Sequence, residues 1–160
     1  MTRRKHIRTQ VTQFLEQQQV SYRLLPHESE AITIDEAARQ RGVRPAQMVK
    51  SILLRDMSDR YALACAPGHC RVDPKKVRAQ LNWRRMTCVP IDEVPTITGY
   101  PIGAVVPLLL AQEMPILFDA HILNEPIVTI SSGSPLAGIA LQCDDLLKLC
   151  QPLVSDIIHT

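Results

Sequence analysis

The segment Val49-Lys50-Ser51-Ile52-Leu53-Leu54 is the apolar run around which the remaining elements of this 160-residue chain are arranged. Side chains alternate between the two faces of a β-strand, so Lys50 would share a face with Ile52 and Leu54. A lysine on a face of core-type residues is either solvated at the strand end or placed to meet an anion. The segment alone leaves both interpretations open.

Length and composition indicate a single domain over residues 1–160. Apolar residues make up 46% of the chain and charged residues 21%, which is enough apolar sequence for one core. The five cysteines include no Cys-x-x-Cys pair, and this favours free thiols in a reducing compartment. The basic N-terminus is not followed by an apolar signal region, and no window approaches the ~18 apolar residues of a membrane span. We therefore expect a cytoplasmic protein that does not enter a membrane.

Basic residues are clustered, although the net charge is only +2. Such clusters are typical either of solvated helix faces or of surfaces that contact nucleic acid. The first cluster comprises Arg3, Arg4, Lys5 and Arg8, and the second comprises Lys75, Lys76, Arg78, Arg84 and Arg85.

Short predicted strands alternate irregularly with short predicted helices, a pattern typical of an α+β domain with a mixed sheet. Thr33 and Glu36 have the spacing of a capping box, Asp73-Pro74 resembles a helix start, and Asp144 is expected to cap the last helix. The predicted helices are 2–19, 34–41, 74–81, 91–97 and 145–150, and the predicted strands are 20–25, 49–55, 61–66, 86–89, 116–119, 127–131 and 139–142.

The segment 99–107 contains two glycines and two prolines, which can hold an unusual backbone shape. Such a loop can direct backbone N–H groups at a carbonyl or phosphate oxygen, and Lys50 could supply positive charge at the same place. The segment 131–134 offers a second loop with hydrogen-bonding groups. A pocket of this kind suits hydrolysis of an activated ester by a positioned water. Ordinary turns have the same composition, so both interpretations remain open.

The sequence gives little evidence for a metal site or a reactive thiol. His69 with Cys70, and Asp119 with His121, do not have a recognised spacing of zinc ligands, so no metal site is expected. Cys70 beside His69 gives little support for a nucleophilic cysteine, because such a cysteine requires an electropositive setting.

A Ser-His-Asp arrangement is a further alternative. It would combine Asp119 and His121 with Ser131 or Ser132. No nucleophile-elbow sequence supports it.

Four groups of residues, in this order, carry a resemblance to a known family. They are 49–54, then 64–68 with 71–77, then 99–107, and finally 117–119 with 130–133. Together they resemble the YbaK/ProX family of aminoacyl-tRNA deacylases, whose domain also occurs as the editing insertion of bacterial prolyl-tRNA synthetases. The resemblance extends from about residue 20 to residue 149.

The resemblance implies an α+β domain with a mixed, partly barrel-like sheet flanked by short helices. It also implies hydrolysis, without metal or organic cofactor, of the aminoacyl ester of a mischarged tRNA, typically a proline-type tRNA carrying a wrong small amino acid. Mischarged tRNA and prolyl-tRNA synthetase are the implied partners. Lys50 would hold the terminal adenosine or the ester, and Gly103 would bind the aminoacyl carbonyl through backbone amides. The implied substrate-binding positions are Ser51, Tyr100, Ile102, Ala104, Pro107, Ser131, Ser132 and Gly133.

Departures from the family pattern leave the substrate open. Ser51 follows the lysine where some members have threonine or asparagine, and the segment 134–138 lacks the basic residues that usually precede its glycine. The main alternative is a non-catalytic tRNA- or nucleotide-binding regulatory module with the same fold. A small-ester hydrolase that acts independently of tRNA is a third hypothesis.

Overall fold

The structure is a computed structural model that describes residues 7–160. Within these residues, 3₁₀ turns lie at Pro45–Gln47, Ile91–Glu93 and Ala120–Asn124. The α-helices are α1 Gln10–Gln17, α2 Ile34–Arg41, α3 Pro74–Leu81, α4 Val94–Thr98 and α5 Cys143–Cys150. The strands are β1 Tyr22–Pro26, β2 Val49–Arg55, β3 Tyr61–Pro67, β4 Thr87–Cys88, β5 Ile116–Asp119, β6 Ile127–Ser131, β7 Ala137–Gln142 and β8 Leu153–Ser155.

The strands form two sheets. The first is antiparallel with the order β1-β7-β6, and the second is mixed with the order β4-β2-β3-β5-β8. In the second sheet β2 runs antiparallel to β3 and β4, whereas β5 runs parallel to β3 and β8. An isolated bridge between Met48 and Thr129 links the start of β2 to β6. The predicted α+β class with a mixed sheet is confirmed, but the two sheets of the described chain do not close into a barrel.

Local capping signals place α2 and α3 at their predicted bounds. The Thr33 hydroxyl accepts the N–H of Glu36 at 3.2 Å, and Gly42 ends α2 in the left-handed region with φ 69°. The Asp73 carboxylate accepts the N–H of Lys75 at 3.0 Å, and proline occupies the first position of α3.

The two terminal helices differ from their predicted bounds. α1 begins at Gln10 because Thr9 and Thr12 cap each other's backbone N–H groups, and residues 2–6 of the predicted helix lie outside the described residues, as do Arg3, Arg4 and Lys5 of the first basic cluster. α5 begins at Cys143, so Asp144 lies in its first turn instead of capping it. The 3₁₀ turn at Ala120–Asn124 and strand β8 were not predicted.

Three further features bear on the sequence-based expectations. No helix within residues 7–160 is long and apolar enough to cross a membrane. In the same part of the chain, no group of three or more His, Cys, Asp or Glu side chains is placed to hold a metal ion. The thiols are free at Cys65, Cys70, Cys88, Cys143 and Cys150.

β2 lies between the two main clusters of core residues. Val49 and Leu53 are buried in the larger cluster, whereas Leu54 is fully buried in the smaller one together with residues of α3 and β5. Ile52 packs against the same smaller cluster. By the alternation of a strand, Lys50 lies at the start of the face that Ile52 and Leu54 continue.

Asp56 fixes the turn between β2 and β3. Its buried carboxylate accepts the backbone N–H groups of Ser58 at 2.9 Å and Arg60 at 2.8 Å, and the Arg60 guanidinium at 2.6 and 2.8 Å. Burial raises the pKa of Asp56, but these hydrogen bonds outweigh it and leave the pKa below its ordinary value. The turn stabilises the register that places Lys50 opposite Ala66 of β3.

We expect Asp56→Asn to lower the free energy of unfolding at pH 7, because the amide would place N–H donors against the donors of Arg60. Since the pKa of Asp56 is lowered by folding, its stabilising contribution is present above the ordinary carboxyl pKa of about 4 and is lost as the pH falls below it. Urea unfolding curves of wild type and variant should therefore differ at pH 7 and converge toward pH 3. Asp59→Asn, at a side chain that is 83% exposed, is the control and should behave as wild type. Equal stability of Asp56→Asn and wild type at pH 7 would contradict this role.

Candidate functional site

A cavity with a volume of about 410 Å³ opens beside the first residues of β2. Its walls come from residues 31–34, α2, the start of β2, the segment 88–94, the loop 102–105 and the end of β6. Most of the lining is apolar, and the volume is in the range of small-molecule sites. The cavity can therefore enclose a small apolar group.

The charged side chains in this lining are both cationic. They are Lys50 and Arg41, and within residues 7–160 no Asp or Glu side chain lines the cavity. Hydroxyl groups are supplied by Thr33, Ser51 and Ser131. A cavity with cations, apolar walls and no carboxylate attracts an anion or an oxygen that develops negative charge.

The entry into β2 is held by a close backbone contact at Gly68. Its N–H lies 2.9 Å from the carbonyl oxygens of both Pro45 and Met48. A Cβ atom at Gly68 would lie 2.8 Å from the Pro45 oxygen, so a larger residue would push the two segments apart. This contact fixes the turn that leads into Lys50.

Lys50 is partly buried and makes no ion pair within the described residues. Burial lowers the pKa of its ammonium group, the nearby Cys70 opposes this shift, and Arg71 adds to it. A partly buried ammonium without a carboxylate partner gains most from an anionic or carbonyl oxygen of a ligand.

The loop 99–107 is anchored by buried side chains. The Tyr100 hydroxyl donates to the carbonyl oxygen of Leu108, and Ala104 is fully buried. Gly103 has a φ of +80°, and a Cβ atom there would lie 3.2 Å from the Cα of Ile32. Both the left-handed backbone and the close contact favour glycine at this position.

Four backbone donors of this loop have no partner within the described residues. The N–H groups of Ile102, Gly103, Val105 and Val106 donate no hydrogen bond within residues 7–160, and all of these residues except Val106 line the cavity. Such N–H groups near a cation can stabilise the oxyanion that forms when an ester carbonyl is attacked.

Half of the ten predicted site residues lie together in the lining of the cavity. They are Lys50, Ser51, Ile102, Gly103 and Ser131. The two halves of the predicted site, at the start of β2 and in the glycine-containing loop, are thus brought to one cavity.

The other five predicted residues lie outside this lining. Tyr100 and Ala104 belong to the loop 99–107, and their side chains are buried in the core. Pro107, in the same loop, is buried beside a separate surface groove. The Ser132 hydroxyl hydrogen-bonds backbone carbonyl oxygens of the following turn, and Gly133 packs against the Tyr100 ring. The structure therefore gives these residues contacts that support the loops instead of contacts with the cavity.

Arg41 is a cavity residue that the sequence did not single out. It is the last residue of α2, and its Nε and Nη1 groups donate to His27 Nε2 and Thr129 Oγ1, both at 3.1 Å. A Cβ atom at Gly138 would overlap the guanidinium. A basic residue in the last turn of a helix is usually solvated, so its sequence gives little signal of this placement.

The alternative catalytic groups are not assembled. Asp119 is fully buried and accepts the backbone N–H groups of Ile157 at 3.1 Å and His121 at 2.9 Å, and it lies 2.9 Å from His121 Nδ1. No hydrogen bond within residues 7–160 joins His121 to Ser131 or Ser132. The pair of Asp119 and His121 stabilises the turn after β5.

Cys70 is also poorly suited to nucleophilic attack. Its Sγ lies 3.6 Å from His69 Nε2, but burial raises the pKa of its thiol and so disfavours the thiolate. Cys70 does not line the cavity.

Comparisons with known proteins find relatives of similar sequence and fold over most of the chain. The uncharacterized protein YwhH of Bacillus subtilis (strain 168) is 29% identical over 142 residues, which cover 89% of this chain and 87% of that protein. The solved structure of hypothetical protein APE2540 has the same fold, with a TM-score of 0.86 and 23% identity over 93% of this chain and 99% of that one. A solved candidate trans-editing enzyme for prolyl tRNA synthetase has a TM-score of 0.78 and 25% identity, covering 87% of each chain.

The sequence model of the aminoacyl-tRNA editing domain matches residues 28–149, which include β2, the loop 99–107 and every residue of the cavity lining. This match covers most of the chain. The protein therefore belongs to the aminoacyl-tRNA editing domain family.

Proposed function

We propose that this protein is a trans-editing deacylase that hydrolyses the aminoacyl ester of a mischarged tRNA. The observation that carries the proposal is that Lys50, Gly103 and Val105 line one cavity, and that the N–H groups of the last two donate no hydrogen bond within residues 7–160. Membership of the editing family supports an aminoacyl-tRNA as the source of the ester.

Water is the nucleophile in this proposal. Its oxygen forms a bond to the ester carbonyl carbon, the carbonyl oxygen becomes negative, and the bond from that carbon to the ribose oxygen then breaks. One proton of the water ends on the ribose oxygen, which leaves as a hydroxyl group, and the other is released to solvent as the freed amino acid becomes a carboxylate. The N–H groups of Gly103 and Val105 would stabilise the carbonyl oxygen as it gains charge, and Lys50 would hold the ester or the terminal adenosine.

The hydroxyl groups of the cavity are less suited to attack than water. The Ser51 hydroxyl lies 3.4 Å from the Cys65 thiol, and the Ser131 hydroxyl accepts the N–H of Gly133 at 3.1 Å. The Thr33 hydroxyl caps α2 by accepting the N–H of Glu36 at 3.2 Å. Within the described residues, none of the three is hydrogen-bonded to a histidine or carboxylate that could take its proton.

The substrate we infer is a proline-type tRNA that carries a wrong small amino acid. The similarity to a candidate trans-editing enzyme for prolyl tRNA synthetase supports this class, as does the apolar cavity. We also propose that the chain acts as one domain in the cytoplasm and cooperates with prolyl-tRNA synthetase in translation fidelity. Side chains that would contact the tRNA backbone are the exposed Lys75, Arg78, Arg84 and Arg85.

Lys50→Ala should reduce kcat/KM for deacylation by about 100-fold or more, because it removes positive charge next to the reacting ester. Its free energy of unfolding should stay within about 1 kcal/mol of wild type, since the lost ammonium is partly buried and has no ion-pair partner. The measurement is release of amino acid from a proline-type tRNA charged with alanine, cysteine, serine or proline. Lys148→Ala, at an exposed position of α5, is the control and should retain activity.

Two outcomes would contradict the proposal. Full activity of Lys50→Ala would remove Lys50 from the reaction. Binding of charged tRNA by the wild type without hydrolysis of any member of the panel would instead favour the non-catalytic regulatory module.

Gly103→Ala should lower both deacylation activity and stability. The variant incurs the cost of a left-handed backbone, about 1 to 3 kcal/mol, and it must also displace the backbone at Ile32. Gly42→Ala is the matched control for stability, because Gly42 also has a positive φ of 69° but no atom within 4 Å of an added Cβ. Thermal unfolding should show a larger loss for Gly103→Ala than for Gly42→Ala. Equal losses would argue against a tight contact between the loop and Ile32.

A further inference from the structure

Arg41 has no part in the proposed ester hydrolysis, yet it lines the same cavity. The side chain is partly buried, and burial lowers its pKa to about 10. None of the ion pairs within residues 7–160 includes Arg41, and residues 1–6 contain no acidic side chain. An arginine that is withdrawn from water without a carboxylate is costly to the folded state and therefore calls for a functional explanation.

Both hydrogen-bond partners of Arg41 are neutral. His27 Nδ1 lies 2.8 Å from the carbonyl oxygen of Pro135, which can only accept a hydrogen bond, so Nδ1 carries the proton. His27 Nε2 is then the lone-pair atom that accepts from Arg41 Nε, and burial, which lowers the pKa of His27, favours this uncharged form. Thr129 Oγ1 accepts from Nη1. The guanidinium is held in position but its charge is not compensated.

The position of the guanidinium is also fixed sterically. Gly138 of β7 leaves the space that the guanidinium occupies, because an added Cβ would overlap it. No hydrogen bond within residues 7–160 uses Arg41 Nη2. A guanidinium that is preorganised and retains free N–H groups can bind an oxyanion at little cost in side-chain entropy.

We propose that Arg41 is a substrate-binding residue that recognises an oxyanion in the cavity. This inference rests on the proposed function, in which the ligand is the aminoacylated end of a tRNA. That end offers two sources of the same chemistry: the phosphate on the 5′ oxygen of the terminal adenosine, and the side-chain carboxylate of an acidic amino acid. Both match the fork of guanidinium N–H groups. The α-ammonium of the substrate would lie away from Arg41 and Lys50, because both are cations.

The first test is binding to the wild-type protein, which does not depend on catalysis. The Arg41 Nε–H signal is followed by ¹⁵N NMR during titration with 5′-AMP, adenosine, L-aspartate α-methyl ester and L-alanine methyl ester. A shift with 5′-AMP but not adenosine supports the phosphate, and a shift with the aspartate ester but not the alanine ester supports the carboxylate. No shift of this signal with either anionic probe at saturation overturns the proposal.

The second test uses Arg41→Met and Arg41→Lys. For the anionic probe that shifts the signal, Arg41→Met should raise Kd about tenfold, and Arg41→Lys should fall between Arg41→Met and wild type. Kd for the matching neutral probe should not change. Arg39→Met removes an exposed cation from the same helix and should leave both values unchanged. Wild-type affinity of Arg41→Met for the anionic probe would overturn the proposal.

Gly138→Ala covers the case in which Arg41→Met does not fold. It retains the charge of Arg41 but displaces the guanidinium, so it should weaken binding of the anionic probe alone. Binding of that probe with wild-type affinity by a folded Gly138→Ala would count against the proposal. The binding measurements test the role of Arg41 separately from the deacylase activity. Absence of hydrolysis by the wild type would refute the deacylase without altering the binding measurements.

Discussion

The bridge between Met48 and Thr129 is the structural constraint on which the cavity depends, because it joins the two sheets. Lys50 follows Met48 by two residues and lies at the cavity edge of the mixed sheet. Thr129, on the other side of the bridge, accepts a hydrogen bond from Arg41. One junction in the backbone therefore holds both cations of the cavity. The loop that contains Gly103 closes the cavity against Ile32.

The cavity has a positive electrostatic character because it contains cations without a compensating carboxylate among residues 7–160. Lys50 and Arg41 line it, and no carboxylate does so within the described part of the chain. Such a cavity is costly to the apoprotein, and it favours ligands that bring phosphate or develop an oxyanion. An aminoacyl ester at the end of a tRNA offers both features, and this chemical match connects the family assignment with the geometry of the cavity.

Features determined by neighbouring residues could be predicted from the sequence, and features determined by distant contacts could not. α2 and α3 were predicted because Thr33 and Asp73 cap them locally. β8 was not, because its three residues are too few to show a strand pattern and its pairing with β5 defines it. Lys50 stood out as a lysine in an apolar run and the loop 99–107 by its glycines and prolines, whereas Gly103 itself was singled out by the family resemblance. The role of Arg41 depends on residues from β6, β7 and the end of β1, which no local pattern brings together.

The most direct test of the account is a crystal structure of the protein with a non-hydrolysable substrate analogue, in which an amide replaces the ester between alanine and the 3′ position of 5′-AMP. We predict that the amide carbonyl oxygen lies about 3 Å from the backbone nitrogen of Gly103 or Val105, with the nucleotide beside Lys50. An analogue bound outside this cavity, or one whose carbonyl oxygen points away from the loop, would contradict the account.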